Sequence, residues 1–263
     1  MSNYSEHLAF AVTLAEQAGK IIQSNFSSNI DKEWKSDNTP VTKADLEINQ
    51  LVIDEVAKRF PDHAVLAEEG NSKHQGSEYV WVCDPIDGTF PFVHGIPTSV
   101  FSLALVKDGE PVLGVVEDPC LQRRYSAEKG KGTHLNGKPI KVSNQKKLER
   151  VALGIEWWNE APFTFADLIR KLSEQPITFY MLHSTVYMGM QVARGAFVAN
   201  IFPGSKPHDF AAQKILVEEA GGKCTDLFGN PLRYNQESST GFLATNGLLH
   251  DEILELIRET VKK

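Results

Sequence analysis

Apolar residues recur every three or four steps over residues 5–27: Leu8, Val12, Ala15, Ala18, Ile22 and Phe26 fall on one side of a helix. A second helix is expected over residues 42–60, with Leu46, Ile53, Val56 and Phe60 on one side and Pro61-Asp62 as its stop. Between them, residues 35–41 read as a polar loop containing a proline. Then the period changes. Ala64-Val65-Leu66-Ala67 and Tyr79-Val80-Trp81-Val82-Cys83 are short unbroken apolar runs, the pattern of buried strands. Each ends in acid, Glu68-Glu69 after the first and Asp84 after the second. Residues 98–117 read as a hairpin that turns at Lys107-Asp108-Gly109-Glu110. Strands over 124–127 and 132–135 follow, with Leu135-Asn136-Gly137-Lys138 as a further turn.

The second half mixes element types. Strands are expected over 151–155, 177–181, 196–201 and 241–244. Helices are expected over 163–172, 184–194, 210–220 and 248–261, with Gly221-Gly222 ending the third of them. The hairpins argue against a purely parallel doubly wound sheet, so the chain reads as mixed α/β with helices packed on sheets.

Composition narrows the partners. A chain of 263 residues suits one large domain or two closely packed halves, and 41% apolar content supplies a sizeable core without disulfides or structural zinc. The formal net charge of −7 is wrong for a nucleic-acid or anionic-membrane binder, which needs a basic face. It suits carboxylates gathered to attract divalent cations. Cys83, Cys120 and Cys224 are far apart and form no CxxC pair, as expected of small core residues in a reducing compartment. Residues 1–20 carry charges throughout and resemble neither a signal peptide nor a membrane span, so a cytoplasmic location is expected.

The chemistry centres on Asp84-Pro85-Ile86-Asp87-Gly88-Thr89. A buried strand delivers Asp84 to its end, Pro85 and Gly88 mark a sharp turn, and Asp87 is expected one step beyond, close to Asp84. Two crowded carboxylates repel unless a cation or a shared proton holds them. If the strand ending in Glu68 lies alongside, three or four acids converge. Such an all-oxygen cluster suits Mg²⁺ or Mn²⁺ rather than zinc. The haloacid-dehalogenase phosphatases use two aspartates spaced by two. Here the spacing is three and Ile86 stands where that mechanism needs a carboxylate, so no aspartyl-phosphate is favoured.

Four blocks carry a resemblance over nearly the whole chain: Asp37-Asn-Thr-Pro-Val-Thr42-Lys-Ala-Asp45, Leu66-Ala-Glu68-Glu69-Gly70, the run from Asp84 to Thr89, and Pro207-His-Asp209-Phe-Ala-Ala followed by Glu219-Ala-Gly-Gly. Together, in this order, they resemble the inositol monophosphatase superfamily of metal-dependent, lithium-sensitive phosphatases. The resemblance implies an α/β (α+β type) fold, a layered α-β-α-β-α sandwich of the inositol monophosphatase / fructose-1,6-bisphosphatase kind. It implies an N-terminal half over 1–145 with most metal ligands, and a C-terminal half over 146–263 with Asp209 and the specificity segments. A homodimer is also implied.

It further implies roles for individual residues. Glu68, Asp84, the Ile86 carbonyl and Thr89 would bind a first Mg²⁺. Asp84, Asp87 and Asp209 would bind a second, with a weaker third near Glu68. Asp45 and Thr89 would form a dyad that helps deprotonate the attacking water. Gly88 and Thr89 would offer N–H groups to the substrate phosphate, with Asp87 and Asp209 beside it, a role that fits N–H groups following a glycine turn. The implied reaction is hydrolysis of a small phosphate monoester by direct in-line attack of water, helped by two cations roughly 4 Å apart. On its own pattern, Thr42-x-x-Asp45 is a capping box and Asp209 an acid in a first helical turn, so both also have structural uses. Lys35 is expected near the site, His208 beside it in a packing role, and His94 as loop structure. His63, His74 and His134 have no partner in the pattern.

The substrate stays open between an inositol phosphate and other esters, such as histidinol phosphate or a sugar or nucleotide phosphate. A non-catalytic regulator that binds metal or phosphate is disfavoured by the intact acids. Phe202, in Asn200-Ile-Phe-Pro-Gly-Ser, falls where inositol enzymes place an acid for substrate hydroxyls, and an apolar ring accepts nothing from a polyol. Phe90-Pro91 also departs from the inositol type. Specificity is expected from residues 156–159, 184–187 and 200–205.

Overall fold

The structure is a computed structural model, and it describes residues 4–27, 30–36, 39–71, 76–234 and 240–261. Asp37, Asn38 and His74 lie outside the described residues. The first half opens with α1 (Ser5–Asn25), a small ribbon of β1 (Lys32–Trp34) and β2 (Pro40–Thr42), and α2 (Lys43–Arg59). There follow β3 (Ala64–Ala67), β4 (Tyr79–Asp87), the short α3 (Thr89–Val93), β5 (Val100–Lys107), β6 (Glu110–Asp118), β7 (Arg123–Glu128), β8 (Thr133–Leu135) and β9 (Lys138–Ile140). The second half holds β10 (Ala152–Ile155), α4 (Ala166–Ser173), β11 (Thr178–Tyr180), α5 (Thr185–Ala193), β12 (Ala199–Phe202), α6 (Pro207–Glu219), β13 (Lys223–Thr225), β14 (Phe242–Thr245) and α7 (His250–Thr260).

Strands β3 to β9 form one seven-stranded sheet in chain order, antiparallel except for the parallel pair β3–β4. A five-stranded sheet runs β11-β10-β12-β14-β13, parallel across its first three strands and antiparallel across the rest. Strand alternation sorts the side chains into layers. Trp81 and Cys83 of β4, with Leu103 and Leu105 of β5, pack against Leu14, Ile22, Ile48 and Val52 of α1 and α2. Val82 and Ala104, pointing the other way, pack against Val186, Met190, Phe210 and Leu216 of α5 and α6. That same core reaches Phe242 and Ala244 of the second sheet. Leu153, Ile155 and Leu243 face outward onto Leu168 of α4 and Ile253 of α7. The result is the expected α-β-α-β-α sandwich. No helix among the described residues is long and apolar enough to cross a membrane.

Several expectations need correction. The loop expected over 35–41 runs into β2, whose Pro40 and Thr42 pair with Trp34 and Lys32. The helix expected from residue 163 begins at Ala166, since Phe163 and Phe165 are buried in the outer core ahead of it. Strand β13, three residues long, has too few positions to show alternation and was not expected at all. Strand β4 does not stop at Cys83 but continues through Asp87.

Candidate active site

The parallel pairing of β3 with β4 sets Ala67 opposite Cys83, so the acids that follow the two strands emerge side by side. The Glu68 N–H donates to the Cys83 carbonyl at 3.2 Å. Residues three apart on a regular strand point to opposite faces. Here Asp84 pairs with Ser102 and Asp87 with Val100, three steps on β4 against two on β5. That bulge, containing Pro85, which has no N–H for the ladder, turns Asp84 and Asp87 towards one point. Asp209, in the first turn of α6, completes a trio whose carboxylate oxygens lie within 4.8 Å of one another.

After Asp87 the chain turns sharply. Gly88 has φ +83, and a Cβ there would lie 2.8 Å from the Ser184 Cβ, so only glycine fits. The turn leads into α3 and presents the Thr89 hydroxyl 3.3 Å from Asp45 Oδ1 and 3.1 Å from the Ile86 carbonyl. The other Asp45 oxygen, Oδ2, accepts from the Thr42 N–H at 2.8 Å and the Thr42 hydroxyl at 2.5 Å. The capping box is therefore real, and the same carboxylate serves both neighbours. Burial pushes Asp45 up to about 6 against the two Thr42 bonds, with Glu68 and Glu69 adding to the rise.

Asp87 is held from the opposite half. Its Oδ2 accepts from the Ser184 hydroxyl and from the N–H groups of Val186 and Tyr187 at 3.0 and 3.2 Å, at the start of α5. Burial raises Asp84, Asp87 and Asp209 above the ordinary carboxylate range, and Glu68 and the trio's mutual repulsion raise Asp84 and Asp209 further. Asp84 Oδ1 is buried and has no hydrogen-bond partner among the described residues. Buried carboxylates in mutual repulsion, one oxygen of them orphaned, form a hard all-oxygen donor set that fits Mg²⁺ or Mn²⁺. Glu68 stands apart from the tight trio, with Lys35 Nζ 2.7 Å from its Oε1 and 2.5 Å from Glu69 Oε1. Burial opposes the Lys35 charge, but the two glutamates outweigh it and hold its pKa above the usual lysine value.

Glu68, Asp84, Ile86, Asp87, Gly88, Thr89 and Asp209 all line a single cleft of about 600 Å³, and Asp45 reaches it through Thr89. Glu156, Trp158, Asn159, Thr185 and Phe202 of the expected specificity segments line it too. His208 Nε2 lies 3.9 Å from Asp209 Oδ1, beside the trio. His94 caps α3 and its Nδ1 lies 2.8 Å from the Phe90 carbonyl, in keeping with a loop role. Phe90, His183 and Glu160 also line the cleft and were not singled out as site residues. His183 and Glu160 have φ +51 and +66, conformations that L residues rarely adopt and that collect at working sites. Burial raises Glu156 to about 8, and Asp87 adds to the rise.

Comparison with known proteins agrees with this geometry. The model of the inositol monophosphatase family matches residues 3–262. The fructose-1,6-bisphosphatase/inositol-1-monophosphatase of Thermotoga maritima is 32% identical over 98% of both chains. The histidinol-phosphatase of Chlorobaculum parvum is 31% identical over 95% of this chain and 96% of its own. A solved Thermotoga maritima IMPase superposes with a TM-score of 0.87 at 32% identity, covering 97% of each chain.

Proposed function

The chain belongs to the inositol monophosphatase family and is a phosphomonoesterase of that family, and from that premise we propose that it hydrolyses the monophosphate ester of a small soluble metabolite by direct attack of water. The observation that carries this reading is the buried trio Asp84, Asp87 and Asp209 with its orphaned Asp84 oxygen. Asp84, Asp87 and Asp209, with Glu68 and the Ile86 carbonyl beside them, would hold two or three divalent cations, Mg²⁺ foremost. When bound, these supply Lewis acidity and positive charge for the phosphate and the attacking water.

The remaining work falls to the chain. Thr89 is bonded towards Asp45, so a proton leaving water at Thr89 Oγ would be drawn towards Asp45 Oδ1. Gly88 and Thr89 would donate N–H groups to the phosphate. Ser184, Val186 and Tyr187 fix the orientation of Asp87 and so tie β4 to the start of α5 at the site. Water would attack phosphorus in line with inversion, and no side chain would become phosphorylated.

Phosphate release from a panel of small monoesters, each with Mg²⁺ and with EDTA, tests this. Magnesium-dependent turnover is expected; a folded protein that releases phosphate equally in EDTA would overturn the metal assignment. An inositol phosphate is one candidate substrate. Histidinol phosphate or a sugar or nucleotide phosphate is the other, and the apolar Phe202 in the cleft speaks against the inositol ester. Lithium inhibition, a homodimer and a cytoplasmic location are further parts of the proposal.

A further inference from the structure

Beyond the carboxylate trio the cleft is walled by aromatic rings. Trp158 and Phe202 have centroids 5.6 Å apart, and Phe90 and His183 form a second pair at 5.8 Å. All four line the same cleft. Trp158 is 39% and Phe90 46% exposed. Large rings left bare on the wall of a concave site are a binding surface, since a core would have covered them.

Phe202 is fixed in place. A Cβ on Gly204 would lie 2.2 Å from the Phe202 Cε1, so the absence of a side chain there makes room for the ring. On another side Phe210 holds Phe202 edge-on at 5.6 Å and itself stacks on Phe242 at 4.7 Å. Phe210 directly follows Asp209, so the ring is tied to the same helix turn as the carboxylate. The Phe202 side of the wall is thus built in advance rather than assembled around a ligand.

These rings decide what the ester's alcohol part must be. Phe202 and Phe90 offer neither donor nor acceptor, so a polyol hydroxyl laid on either ring finds no partner in it. A flat unsaturated ring loses nothing against them and gains by stacking. Among the described residues that line the cleft there is no Lys or Arg, and Lys35 behind Glu68 is already paired with Glu68 and Glu69, so a second phosphate finds no free cation among them. Glu156 and Glu160 flank Trp158 in the cleft and suit ring N–H groups or an amine.

We propose that the Trp158–Phe202 and Phe90–His183 pairs select a monophosphate ester whose alcohol part carries a flat nitrogen heterocycle, such as an imidazole or a purine, over polyol and sugar phosphates. This selection rests on the phosphatase reading above.

The test is steady-state kinetics with Mg²⁺ on histidinol phosphate, 2′-AMP, inositol 1-phosphate, fructose 1,6-bisphosphate and the ring-free glycerol 2-phosphate. A heterocyclic ester is expected to exceed the polyol and sugar esters in kcat/KM by roughly tenfold or more, the scale of one stacked ring. The histidinol and adenosine arms then separate the imidazole from the purine. In Phe202→Leu and Trp158→Leu, which keep an apolar side chain and so the fold, the ratio of kcat/KM for the best heterocyclic ester to that for glycerol 2-phosphate is expected to fall roughly tenfold, mainly through KM. Equal or better turnover of inositol 1-phosphate or fructose 1,6-bisphosphate, or an unchanged ratio in both variants, overturns the selection and leaves the phosphatase standing. Silence on every ester with folded protein overturns the phosphatase reading itself, and the selection falls with it.

Discussion

Asp45 faces Thr42 with one carboxylate oxygen and Thr89 with the other, so a single buried side chain joins the start of α2 to the turn that ends β4. A helix cap and the proposed proton acceptor are thereby the same group, and the two duties separate by mutation. Asp45→Asn keeps the size and one cap acceptor but cannot take up the proton. It is expected to lower kcat by about 10²–10⁴ with a small change in melting temperature. Thr42→Ala is expected to show the reverse emphasis, losing about 1 kcal/mol of stability with a milder kinetic effect. If Asp45→Asn turns over normally, the dyad with Thr89 has no part in the chemistry.

The hydroxyl of Thr89 is the link in that dyad, so it separates chemistry from packing. Thr89→Ser keeps the donor to Asp45 and is expected to retain most activity. Thr89→Val fills the same buried space without the donor and is expected to lose kcat about as heavily as Asp45→Asn. Single-turnover phosphate release on both variants checks this, and equal rates for Ser and Val would remove the hydroxyl from the mechanism.

The trio sets stability against function. Asp84, Asp87 and Asp209 repel one another while buried, so the metal-free fold carries their charge at a cost. Asp84→Asn or Asp209→Asn relieves part of that repulsion. Each is expected to stabilise the EDTA-treated protein near neutral pH. Each is also expected to abolish turnover. Chemical denaturation in EDTA reads the first effect, and a less stable variant would show that these carboxylates are not under electrostatic strain.

The same repulsion fixes the sign of the pH response. Burial and like charge raise these pKa values in the fold, so the folded state holds protons that the unfolded chain releases. Metal-free stability from this source is present below the ordinary carboxylate pKa and is lost as pH rises through the folded values. Mg²⁺ competes with those protons. The rise in melting temperature on adding Mg²⁺ is therefore expected to be larger near pH 8 than near pH 5, and differential scanning fluorimetry with and without EDTA measures it. A pH-independent rise would place the cation elsewhere.

Much of the site was visible in the sequence because its acids sit at strand ends and helix starts, where local pattern is informative. Glu68 and Asp84 each close an apolar run, and their approach depended on the two strands being neighbours, which the parallel pair β3–β4 supplies. What local pattern could not supply is contact across the chain. Nothing around Asp87 announces that Ser184 and the start of α5 hold its carboxylate. Nothing near Phe90 announces His183, which the fold sets beside it. The extension of β4 past Pro85 was missed for a related reason: proline interrupts a regular ladder but is accommodated by a bulge, which the apolar pattern does not show. The pairing of Lys35 with Glu68 likewise needed the two segments in three dimensions, although both residues had been placed near the site.

Far from the cleft, His250 makes a second pH-dependent prediction of opposite sign. It begins α7, is fully buried, and lies between the hydroxyls of Thr225 and Thr245, 3.1 Å from its Nε2 and 3.0 Å from its Nδ1. Burial lowers its pKa to about 4, nearby Lys223 adds to the fall, and Asp251 opposes it. The folded state therefore keeps His250 neutral where the unfolded chain takes up a proton. Its stabilising contribution is whole above the unfolded value of about 6.5 and is lost as pH falls from there to about 4. The full loss is about 3 kcal/mol for a shift of this size. In His250→Gln the threonine bonds are weakened at every pH, but the titration is gone. The stability gap between the native chain and His250→Gln, measured by urea unfolding, is therefore expected to be widest near pH 7.5 and to narrow, or reverse, by pH 4.5. A gap that stays constant over that range would mean that His250 does not titrate between the folded and unfolded states as its burial requires.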